Sequence, residues 1–331
     1  MRPSIPAPAV AAGLLGLAAI VALLTASDVG TAIAPPLADP GALVRWSIPV
    51  VRVLVDLAMA TAIGAVALAF VIDSSEPYRP ALILAGRACA VWSGAQAVLL
   101  IAVSARAAGL APTDVGLWPV ATNLISDTAG GFGAAITVLA AGVAAVALAI
   151  VGRGGAPWSA YPAAALVLVA ALASAPAGHA SSSAAGSSVL IGRAMHLLGV
   201  GAWVGGLLAL VVLWPGLWSE RRAVAAAQGY SVMAGAAFFL VAGSGVATGL
   251  AVIGRVDLFG SAYSRLLVAK TVLLLVLGAM GAWHRARHVP RLDRAGARGL
   301  LRLALAELAV MAVVFAFAAV LADTPTPQPL H

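Results

Sequence analysis

The run RAMHLLGVGAWVGGLLAL (Arg193 to Leu210) is mostly hydrocarbon, yet it carries a histidine, an arginine, a tryptophan and two adjacent glycines. Trp203 follows His196 by seven residues, close to two full helical turns, so both lie on nearly the same face of a helix. Gly199 and Gly206 fall within about 80° of that face at 100° per residue, and small residues let a neighbouring helix approach closely. The pattern suits a histidine pressed against a tight interhelical contact, with Trp203 closing the space beneath it. Arg193, one turn above, can extend its charge outward. A second histidine, His179, precedes it in APAGHASSS and is separated from it by a short connection. The two could converge on one metal, because neutral imidazole suits copper, iron and zinc. Histidines in transmembrane bundles also ligate haem. The ordinary readings stand beside these: a histidine bonded to a neighbouring helix, and a loop histidine.

A second set of residues lies deeper. Arg52 and Asp56 are spaced i,i+4, which favours an internal ion pair. Met59 is one turn beyond Asp56, and Met311 is one turn beyond Glu307. By residue count Asp56, Met59, Glu307 and Met311 fall near mid-membrane, where carboxylates and thioethers could pass a soft cation or a proton; methionine is also common packing filler. Lys270 and Glu307 differ in expected depth by about 12 Å at 1.5 Å per residue, which argues against a direct pair. His284 and His288 stand i,i+4 among arginines, as a solvated basic end or as an exit-side metal site. The single cysteine, Cys89, excludes an internal disulfide, a CxxC motif and a multi-cysteine metal cage.

The elements that must position these groups follow from composition. Of 331 residues, 62% are hydrophobic and 9% charged, against about 25% charged in soluble domains. So much apolar surface requires lipid as solvent. Spans in lipid are helical, since an open sheet edge would leave backbone groups unsatisfied. Nine stretches approach the length of a span, about 20 apolar residues: 8–26, 44–72, 80–106, 129–152, 158–178, 189–214, 229–253, 263–284 and 299–322. The expected fold is all-α, a polytopic transmembrane helix bundle of about nine spans. The net charge of +7 comes from basic residues scattered between spans, all arginine except Lys270. They do not form the single basic face that nucleic-acid binding needs.

Their distribution orients the chain. Arg2, Arg79, Arg153, Arg221, Arg222 and the run from Arg285 to Arg302 fall on one side; Arg45, Arg106, Arg255 and Arg265 fall on the other. The positive-inside rule then puts the N-terminus inside and the C-terminus outside, with His179 and His196 toward the outer face and His196 about 12 Å deep. The first helix is expected to remain uncleaved; a cleaved signal peptide would leave eight spans in the same orientation. The outer stretch 107–128 is expected to form an interfacial helix anchored by Trp118. The expected units are residues 1–156 (spans one to four), residues 157–325 (spans five to nine) and a Pro-rich outer tail, 326–331. No GxxxxGK[ST] nucleotide site is present, so an enzyme is not expected and transport would be passive or gradient-driven.

From about Pro157 to Pro325 the chain resembles the copper resistance protein D family of bacterial inner-membrane proteins. The resemblance rests on GHA at Gly178–Ala180, His196 with WVGG at Trp203–Gly206, and ATGL at Ala247–Leu250. It continues with Tyr263 and RLLVAK ending at Lys270, Glu307, and Thr324-Pro325. His284-Arg285 stands where the family commonly has Asn-Arg. The resemblance implies copper handling in the cytoplasmic membrane: uptake from the periplasmic side, or delivery toward cytochrome c oxidase. A periplasmic copper chaperone or oxidase subunits would be the partners. In similar actinobacterial proteins this half is followed by an oxidase assembly-like membrane domain, which would attach at the outer Pro-rich end. The rival expectations are a haem-binding redox protein and a non-transporting assembly scaffold.

Overall fold

The computed structural model describes residues 7–29, 39–73, 76–175, 186–219, 222–253, 262–287 and 297–321. His179, His288 and the tail 326–331 lie outside these, as does the side chain of His284.

Every element among the described residues is helical. The first half of the chain forms α1 (Ala7–Val29), α2 (Ala42–Ile72), α3 (Arg79–Ala108), α4 (Leu117–Asp127), α5 (Ala129–Gly152) and α6 (Ala160–Ala173). Then come α7 (Gly186–Val200), a π-helical segment (Gly201–Gly205) and α8 (Gly206–Ser219), followed by α9 (Ala223–Ile253), α10 (Ala262–Arg287) and α11 (Ala297–Leu321). Local chemistry sets several ends. Pro80 sits in the first turn of α3, where its missing N–H costs nothing. Gly109 ends the same helix at φ 66°, left-handed, with its N–H on the carbonyls of Ala105 and Arg106. Thr128 opens α5 by accepting the Gly131 N–H at 2.9 Å.

Seven of these stretches are long and apolar enough to cross a membrane, with Leu190–Leu217 counted as one continuous span through α7, the π segment and α8. The two remaining expected spans coincide with shorter apolar stretches, Gly13–Thr25 and Pro157–Ala173. The protein is a multi-pass membrane protein. Between spans, α4 is amphipathic: Leu117 and Ala121 are buried against the bundle, whereas Trp118 is 66% exposed, as an interfacial anchor should be.

The central element is α2, which packs against α1, α3, the π segment, α8, α9 and α11. On one side α3 packs on α5 and α5 on α6, and Trp92 of α3 is fully buried. On the other, α7 packs on α9, and α10 lies chiefly on α11. Packing therefore crosses the expected 156/157 boundary. Large apolar side chains that face away from the bundle, such as Phe239, Val232 and Leu139, are exposed; in water they would be a liability, and in lipid they are the solvated surface.

Candidate functional site

The site is built on a helix interrupted by a π-helical segment. Within Gly201–Gly205 the hydrogen bonding shifts to the wider π pattern, and the Gly206 N–H reaches back to the Gly201 carbonyl. Such bulges recur at functional positions because they re-aim side chains and loosen backbone carbonyls. Here the Trp203 carbonyl is taken up by the Tyr230 hydroxyl of α9, which donates to it at 2.9 Å.

The glycines on either side of this segment let two other helices close in. A Cβ on Gly205 would run into the Ala60 backbone of α2, and one on Gly64 would run into the Gly205–Gly206 backbone. Gly201 faces Ile63 of the same helix. On the opposite face, Gly199 abuts Val241 and the Ala237 carbonyl, and Gly206 abuts Met233 and Tyr230, all on α9. The expected close approach beside Gly199 and Gly206 is thus a contact with α9. A second one, made by Gly201 and Gly205 against α2, was not foreseen. Its signal was present in the spacing of four glycines over eight residues.

His196 faces α9. Its Nδ1 is 3.2 Å from the Ser244 Oγ, and the ring also meets the Val241 carbonyl. The Ser244 hydroxyl lies 2.6 Å from the Leu240 carbonyl and 3.1 Å from that of Val241. With the Ser244 proton directed to the Leu240 carbonyl, its oxygen can accept from His196 Nδ1–H, the tautomer that would leave a lone pair on Nε2. This is the arrangement in which a histidine offers Nε2 to a metal while its other nitrogen is held by a second group. Sequence reasoning did not identify Ser244, because the partner is 48 residues away on another helix.

Around His196 the bundle collects charge. Arg193 and Lys270 both act electrostatically on its ring. The same two cations and Arg52 act on Asp56. The expected i,i+4 pairing of Arg52 with Asp56 is consistent with Arg52 being the leading charge that acts on this carboxylate. Asp56, Arg193, His196 and Lys270 are all half-buried.

The other carboxylate belongs to a separate place. Glu307, 5% exposed, lines a cavity of about 220 Å³ between α8, α9, α10 and α11. The cavity begins at Trp203 and continues to Trp214, Phe238 and Arg285. Tyr230 is within electrostatic reach of Glu307. Arg285, next to His284, donates to the Ser231 hydroxyl and carbonyl and lies where a Cβ on Gly235 would be. Trp203 packs edge-on to Phe238 at 5.3 Å, and both rings form part of the wall of this cavity. Met59 is buried beside Ser174, whose hydroxyl points to its sulfur at 3.9 Å, and Met311 is buried in the main core.

Asp56 is thus grouped with Arg193, His196 and Lys270, and Glu307 with Tyr230 and the cavity. Among the described residues no three of His, Cys, Asp and Glu gather as a metal-binding group. Bis-histidine haem ligation would need His179, which is not described, and the haem alternative finds no support.

The family model for copper resistance protein D matches residues 224–321, which make up α9, α10 and α11 with the loops between them. This stretch is CopD-like; it carries Tyr230, Ser244, Lys270, Glu307 and Met311, whereas Asp56, Met59, His179 and His196 lie before it. No curated protein and no solved structure matches the chain.

Proposed function

We propose that this copper-related membrane protein receives copper at His196, in the outer half of the bundle, and passes it inward. The observation that supports the reading is the Ser244 contact to His196 Nδ1 at 3.2 Å, which suits the tautomer that offers Nε2 to a metal. His179, which follows α6 and precedes α7, is the proposed second ligand, and soft Cu(I) is the proposed ion. Asp56 shares the fields of Arg193 and Lys270 with His196. Met59 next to it, and Glu307 and Met311 on α11, are proposed as successive stations toward the inner face, with His284 and His288 at the exit. α2 and α11 are in contact, which brings these stations onto adjoining helices. Movement would be passive or driven by the membrane gradient. A periplasmic chaperone would donate the copper, and cytochrome c oxidase would receive it.

The test uses the full chain in its own membrane. His196→Ala and His179→Ala are each expected to lower cellular copper accumulation and the copper content of the oxidase. Unchanged copper in both variants, with the proteins present at wild-type level, would overturn the reading.

A further inference from the structure

We propose that the cavity between α8, α9, α10 and α11 binds a quinol, a neutral single ring with oxygen at both ends, taken from the surrounding lipid. One set of walls brings the recognising groups together. Trp203 of the π turn, Trp214 of α8, and Tyr230, Phe238 and Phe239 of α9 put five aromatic rings around about 220 Å³. An apolar cavity of about 150 Å³ already holds benzene, so this one has room for a ring with several substituents. Aromatic walls suit a flat ring, which can stack on one face and meet the edge of another.

Two charged side chains line the same space, at different depths. On α11 the lining runs from Leu300 to Glu307, about 10 Å along the helix at 1.5 Å per residue, and Glu307 is its deep end. On α10, which crosses back the other way, the lining runs from Leu277 to Arg285, and Arg285 is its shallow end, close to the last residue of the helix, Arg287. Arg285 donates through Nε and Nη2 to Ser231, and a guanidinium has further N–H groups to offer. The Glu307 carboxylate has about four acceptor positions, so it can take a ligand hydroxyl alongside its contacts within the protein. One carboxylate and one guanidinium cancel. A charged occupant would leave net charge inside the membrane, which is costly, and a neutral one leaves none. Such a molecule must donate at the Glu307 end and accept at the Arg285 end, and the two ring oxygens of a quinol do both. Lipid supplies the route. Phe239 lines the cavity and is 75% exposed on the outer surface of the bundle, and α10 leans on α11 and only lightly on α9. Gly281 of α10 also lines the cavity, and a Cβ there would meet nothing within 4 Å. The quinol site does not depend on copper being the cargo.

The test is anaerobic equilibrium binding of tritiated trimethylhydroquinone to the full chain in phosphatidylcholine nanodiscs, with uptake by protein-free discs subtracted. Wild type is expected to saturate at about one ring per chain. Trimethylbenzene, which lacks the oxygens, and hydroquinone sulfonate, which carries a charge, are each expected to compete at least about tenfold more weakly than unlabelled trimethylhydroquinone. Glu307→Gln is expected to weaken binding about tenfold, as for a lost hydrogen bond to a charged group. Gly281→Leu is expected to abolish binding by filling the space, with the fold retained. His196→Ala is expected to lose copper and keep the ring, so that failure of the copper reading and failure of this one are separable. No saturable binding above protein-free discs, competition by trimethylbenzene equal to that by trimethylhydroquinone, or unchanged binding in Gly281→Leu overturns the proposal. If Glu307→Gln does not fold, Gly281→Leu decides.

Discussion

Adding one methyl group at a time along the Gly199–Gly206 segment should give a graded loss of stability, and the grade can be ordered from what each methyl meets. At Gly206 the new Cβ would lie 2.9 Å from the Met233 Cε and 3.0 Å from the Tyr230 ring edge. The first is the tip of a flexible side chain that can swing away, and the ring needs to give by only a few tenths of an ångström. At Gly201 the Cβ would lie 2.7 Å from both the Cβ and the Cγ2 of Ile63. Those atoms are next to the α2 backbone and have one favoured rotamer in a helix, so relief requires the helix to move. At Gly205 the methyl would meet the Ala60 carbonyl and its carbon. Nothing there can rotate, and α2 would have to separate from the π segment. Overpacking of a close-packed core costs about 1–3 kcal/mol, sometimes more, against a gain of up to about 1 kcal/mol for replacing glycine by alanine in a helix. Gly206→Ala should therefore come out within about 1 kcal/mol of wild type, Gly201→Ala about 1–2 kcal/mol less stable, and Gly205→Ala at least about 3 kcal/mol less stable. The assay is unfolding of the purified full chain in mixed micelles, read by tryptophan fluorescence. If Gly205→Ala were as stable as Gly206→Ala, the close crossing of α2 over this segment would be wrong.

Two further outcomes follow from the same geometry. Ser244→Ala removes the acceptor of the His196 Nδ1–H and should weaken copper binding about 10- to 100-fold, with only about 1 kcal/mol lost in stability; competition with a chromophoric Cu(I) chelator measures it, and unchanged affinity would remove Ser244 from the site. For orientation, Ser126→Cys on α4, in a Cys89→Ser background, should react in intact cells with a maleimide that cannot cross the membrane. Protection until the membrane is opened would place α4 inside.

Much of this was legible because the membrane makes composition decisive. With 9% charged residues there is one class of fold available, and the breaks between apolar runs are punctuated by Pro, Gly and charge. α4 and its exposed Trp118 were legible for the same reason, since a short amphipathic run between spans has one comfortable place to lie. The site was legible only in part. Helical periodicity put Gly199, Gly206 and Trp203 near the His196 face, and periodicity is local. It could not name Ser244, Tyr230 or Ile63, which are brought in by α9 and α2 from far along the chain. It also assumed unbroken α-helix, so the π turn at Gly201–Gly205 was invisible to it. The i,i+4 spacing pointed to Arg52 as a partner of Asp56, and Arg52 is the leading charge acting on that carboxylate. Spacing describes an isolated helix, so it could not show that Arg193 and Lys270 act on the same carboxylate from two other helices.

The π turn also ties stability to function. His196 and Asp56 belong to different helices, α7 and α2, and their separation is set by how α2 crosses the segment just below His196. That crossing is a glycine-to-backbone contact, Gly64 and Ala60 against Gly205, with no side chain able to absorb a shift. On the far face the same turn is held by the Tyr230 hydroxyl on the Trp203 carbonyl, and Trp203 and Tyr230 are at once walls of the cavity that contains Glu307. The turn is therefore clamped between α2 and α9, and its Trp203 lines the glutamate cavity. A protein interior this tightly packed transmits displacement instead of absorbing it. A shift of α2 against the turn would therefore be carried through it to Tyr230 on α9 and so to the wall of the cavity that holds Glu307.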